Sequence, residues 1–93
     1  MALFTFKLQF RGGIYISQVE GDDVNEVLVR WVKNLKVDEI QYFGEKNREL
    51  LLAEIESGDT YTLAINDTTN VWILFTILRP GNVTLHIIKT LAE

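Results

Sequence analysis

Few side chains in this sequence could carry out chemistry, and their spacing limits what that chemistry would be. There is one histidine, His86, and no cysteine. A lone His cannot be half of a histidine metal pair, and Ser–His catalysis needs a serine delivered to it; Ser17 and Ser57 are the only serines. His86 is therefore expected to be a structural residue or a surface contact. Without Cys, a disulfide framework, a thiolate zinc site and a thiol nucleophile are all excluded. Glu45, Glu49, Glu54 and Glu56 fall on one helical stretch beside Lys46 and Arg48. Paired-carboxylate catalysis needs two acids converging on a cleft, whereas acids on one exposed helix keep it solvated. Asp22, Asp23 and Glu26 could offer oxygens to a hard cation, but their spacing lacks the Gly and terminal Glu of a calcium loop. A helix N-cap accounts for them. Gly12-Gly13 has no G-x-x-x-x-G-K context and reads as a turn. No catalytic, cofactor-binding or metal-ligating residue is expected, and no cofactor.

The chain has 93 residues, 47% of them hydrophobic, which is one domain, residues 1–93, with a single modest core. Net charge is -4 and is unevenly spread. Residues 38–59 hold seven acids against Lys46 and Arg48, whereas residues 60–93 are formally neutral. Clustered cations, which a phosphate backbone requires, are missing, so nucleic acid is excluded as a partner. The longest nearly apolar stretch, Val71 to Leu78, is far shorter than the ~20 residues of a membrane helix. The first residues alternate like a strand, with no basic leader before them, and Asn66 and Asn82 of the two Asn-x-Thr sequons read as turn residues. A cytoplasmic protein with no membrane partner is expected.

Two-residue alternation predicts strands over 3–10 and 14–20, with Phe4, Phe6, Leu8 and Phe10 on one side of the first. The turn at Arg11-Gly12-Gly13 admits two registers. A two-residue loop sets Tyr15, Ser17 and Val19 beside the Phe face; a bulged three-residue loop sets Ile14, Ile16 and Gln18 there, and is preferred because Ile packs better on Phe. Asp23 with Glu26 predicts a capping box, and Val24, Val27, Leu28, Trp31, Val32 and Leu35 follow helical spacing behind it. Residues 38–44 read as either a helical turn or an extended link. A second helix is predicted over 45–56, closed by Gly58, and strands over 60–65, 71–78 and 83–90. Asn66–Asn70 and Arg79-Pro80-Gly81-Asn82 supply the turns between them. The fold expected is α+β, in the order β-β-α-α-β-β-β: a five-stranded, mainly antiparallel sheet with two helices packed on one face.

The other face of that sheet is where function is sought. Both sides of the 71–78 strand are apolar, and Trp72, Leu74 and Leu78 are assigned to the helix-free face, joined by His86, Ile88 and Tyr15. A patch of several hundred Å2 centred on Trp would be an interaction surface, with a homodimer the simplest outcome.

Gly12 to Val19, Arg30-Trp31, Asn70-Val71-Trp72 and His86 to Thr90 together resemble a family of small uncharacterised bacterial α+β proteins. That likeness spans most of the chain and implies a fold without an activity. The opening Gly-Gly hairpin and acid-capped helix also resemble the first third of HicB-type antitoxins. The Pro- and Gly-containing loop and the basic DNA-binding extension of such proteins are absent, and no residue roles transfer. The sequence thus predicts a small non-catalytic interaction domain, bacterial, with an unidentified protein partner or a second copy. The alternatives are an immunity- or antitoxin-like inhibitor that covers a basic partner with its acidic helical layer, and a small enzyme, which would need a pocket gathering His86 with carboxylates.

Overall fold

The computed structural model describes residues 2–66, 68–78 and 81–91. Strands β1 (Ala2–Phe10) and β2 (Gly13–Gly21) form the opening hairpin. Helices α1 (Val24–Lys33) and α2 (Gly44–Ser57) follow, with a 3-10 turn at Val37–Glu39 between them. Strands β3 (Leu63–Ala64), β4 (Val71–Leu78) and β5 (Gly81–Leu91) come last. They form one five-stranded sheet in the order β2-β1-β5-β4-β3, antiparallel at every junction. The α+β architecture expected from the sequence is the one observed. Its central β1–β5 pair joins the two ends of the chain.

The hairpin settles its own register. Arg11 and Gly12 both take positive φ, 48° and 83°, as a two-residue type I′ turn requires, and Gly13 pairs with Phe10 as the first residue of β2. Tyr15, Ser17 and Val19 therefore lie opposite Leu8, Phe6 and Phe4. The preferred bulged loop is wrong, and Ile14, Ile16 and Gln18 face away from the Phe side. Polar contacts from the helical layer fix this arrangement: the Trp31 indole N–H donates to Ser17 Oγ at 2.8 Å, and the Gln41 backbone N–H donates to the Tyr15 hydroxyl at 3.3 Å.

Helix α1 begins where the acids predict. Asp23 Oδ2 accepts from the backbone N–H groups of Asn25 and Glu26, both at 3.1 Å. The reciprocal arm of the capping box is not made, because the Glu26 carboxylate accepts from Arg30 one turn on. Val27, Leu28, Trp31 and Val32 face the sheet, and the Trp31 ring stacks on Phe6 with centroids 5.1 Å apart. Residues 38–44 form a 3-10 turn and bends that deliver Ile40 and Phe43 to the core, Phe43 meeting Phe10 edge-on. Gly58, at φ 84°, closes α2.

Only Leu63 and Ala64 of the 60–65 segment enter the sheet, while β5 extends to take in Gly81 and Asn82. Asn82 is thus a strand residue; Asp67, Arg79 and Pro80, expected in turns, lie outside the described residues. Pairing of β4 with β5 sets Trp72 opposite Ile87 and Leu74 opposite Leu85. In turn, Ile87 and Leu85 lie opposite Phe6 and Leu8. Trp72, Leu74, Thr76 and Leu78 therefore share the helix-covered side.

Candidate functional site

The helix-free face is an interaction candidate, but its residues differ from those assigned to it. Leu74 and Leu78 are buried in the core; Trp72 is half-buried against it, 6.1 Å from the Phe4 ring. Tyr15 also packs against the core from the helix side. Their placement on the open face is corrected by the pairings of β2 and β4. His86 and Ile88 are on that face as expected, because alternate residues of β5 oppose Lys7 and Thr5 there.

What faces outward from β4 is the odd-numbered set: Val71, Ile73, Phe75 and Ile77. Phe75 and Ile77 are 56% and 68% exposed, and Ile88 and Leu63 extend the patch onto β5 and β3. On the opposite margin β2 contributes Ile14 and Ile16, at 57% and 67% exposed. The cross-strand rows show how the two stripes are separated. Ile16, Lys7, His86 and Ile73 form one row; Ile14, Gln9, Thr84 and Phe75 form the next. A polar lane along β1 and β5 thus divides a broad apolar stripe on β3–β5 from a narrow one on β2. Most helix-free antiparallel faces alternate to polar residues. This one does so only along its middle.

His86 lies within that lane, and its Nδ1 is buried with no hydrogen-bond partner among the described residues.

The acids of α2 do not act as one solvated row. Glu54 turns inward, where its Oε1 accepts from Thr60 Oγ1 at 2.9 Å and from Thr76 Oγ1 at 2.8 Å, pinning α2 to β4. Glu45 pairs with Arg48, whereas Glu49 and Glu56 are exposed. No Asp, Glu and His group of three or more comes together among the described residues as metal ligands would. A cleft of about 540 Å3 opens beside β2, and His86 does not line it. Among the described residues, no helix is long and apolar enough to cross a membrane.

Odd-numbered exposure on β4 carried no local signal in the sequence, since both its sides are apolar. The usable hint was longer-range: Thr76 is the one polar residue of β4, and it points toward Glu54. In comparisons with family models, with curated proteins and with solved structures, no match to this chain was found.

Proposed function

We propose that this chain is a small non-catalytic interaction domain that associates with a second copy of itself through the helix-free sheet face. The observation that supports this reading most is the patch made by Val71, Ile73, Phe75, Ile77, Ile88 and Leu63, in which Phe75, Ile77 and Leu63 are each more than half open to water. Contiguous exposed apolar patches larger than a few hundred Å2 are rare on monomers without a binding role. Charge favours a second copy as the occupant. Residues 60–93, which contain β3–β5, are formally neutral, and the excess acid lies in residues 38–59, in the helical layer on the other side of the sheet. Two copies meeting by their open faces keep those acidic layers apart, and a two-fold axis lets one self-complementary stripe cover its twin. The result would be a sheet-on-sheet sandwich with an interior about 10 Å thick.

Light scattering across a dilution series tests it. The expected result is twice the chain mass at micromolar concentration, falling toward the monomer on dilution, with little change on adding salt. A monomer throughout the range contradicts the proposal. Association abolished by salt would contradict an apolar contact between the open faces.

A further inference from the structure

The two edges of the sheet are built differently. Strand β3 offers two residues, whereas β2 is a nine-residue edge with no partner strand on its outer side among the described residues; at its C-terminal end the Glu20 carbonyl accepts from Arg30 Nη1. In an antiparallel hairpin closed by a two-residue turn, hydrogen-bonded pairs alternate outward from the closing pair. Phe10 and Gly13 are that closing pair, so Tyr15, Ser17 and Val19 bond inward to β1. The N–H and C=O groups of Ile14, Ile16, Gln18 and Glu20 then point away from the sheet; the Glu20 carbonyl is taken by Arg30, so the open ladder runs over Ile14, Ile16 and Gln18. Natural edges are usually blunted by Pro, Lys, a bulge or brevity. From Ile14 to Val19 this one has no Pro, no charged side chain and an unbroken register.

Beside it runs the cleft of about 540 Å3, within the ~300–1,000 Å3 usual for a binding site. Its floor is the β2 edge, and its roof is the C-terminal end of α1 and the turn after it, with Trp31, Leu35, Ile40, Lys36 and Glu39 among the lining. We propose that this groove takes an extended peptide segment as a sixth strand on β2, with uncharged apolar side chains at alternate positions entering beneath α1. The backbone ladder specifies an extended chain, since nothing else matches donors and acceptors repeating every second residue. The lining sets the side-chain chemistry: one cation, Lys36, is balanced by one anion, Glu39, and the rest is neutral. A second copy of the whole domain fits this groove poorly. Strand spacing would be ~4.8 Å across a β2–β2 junction, and both roofs would stand on the same side, where packed helices need 8–10 Å.

The probe is an acetylated, amidated peptide of alternating valine and threonine, read by amide hydrogen exchange of the full-length protein. In the free protein the amides of Ile14, Ile16, Gln18 and Glu20 should exchange fast, while those of Tyr15, Ser17 and Val19 are protected. Peptide should slow the first set. N-methylation of the peptide at the residues facing β2 should weaken binding about tenfold, and methylation of the alternate residues should not. Ile16→Pro, which removes an outward N–H without touching the β1 ladder, should do the same. Unchanged exchange at Ile14, Ile16 and Gln18 with millimolar peptide overturns the proposal, as does equal loss from either methylation pattern. Concentration-dependent protection of these amides in the protein alone also overturns it, and assigns the edge to a second copy.

Discussion

Ser17 shows how a small side chain can fix a strand's orientation. Its hydroxyl accepts the indole N–H of Trp31, whose ring stacks on Phe6, so one contact ties β2, α1 and β1 together. Ser17→Ala leaves that N–H seeking water at a half-buried site. It should cost about 1 kcal/mol, read as a lower denaturation midpoint with an unchanged slope. Trp31 is legible from its helical spacing alone, but Ser17 is not: a serine between Ile16 and Gln18 carries no mark of its partner fourteen residues away. Glu54 hides in the same way. Among the acids of α2 it reads as a solvated residue, and only the folded chain brings Thr60 and Thr76 within reach of its carboxylate.

Strong local patterns made the elements readable. The Phe alternation of β1, the Asp23 cap and the spacing of α1, and Gly58 after α2 each have one physical solution, and each appears in the fold. Where two solutions were nearly equal, the sequence alone could not choose. The Arg11-Gly12 turn defeats the expectation that both glycines sit at the tip, because Arg11 accepts a positive φ and frees Gly13 for the strand. In β4, Trp72-Leu74-Thr76-Leu78 competes with Val71-Ile73-Phe75-Ile77, and alternation cannot rank two apolar sets. Pairing with β5 decides it. Gly21 tests how closely α1 seats on the hairpin. It is buried at the end of β2, and a Cβ there would lie 2.3 Å from Val27 Cγ1. Gly21→Ala must therefore push α1 away and should destabilise by about 1–3 kcal/mol, visible as a melting temperature lowered by several degrees.

The molecule as a whole is asymmetric between its two layers. The helices and the even-numbered side of β4 form the core, while the opposite side of the sheet keeps an apolar stripe facing water and carries little charge. The assignment of Trp72 to that stripe did not survive, but the stripe itself did, built from the other half of the same strand. The most direct test compares Phe75→Glu with Trp72→Ala, measuring solution mass by sedimentation and stability by thermal unfolding. Phe75→Glu should give a monomer whose fold is retained, since its ring makes no core contact. Trp72→Ala should lower the melting temperature and leave the variant dimeric wherever it remains folded. A wild-type monomer, or a Phe75→Glu variant that associates as strongly as the wild type, would contradict the account.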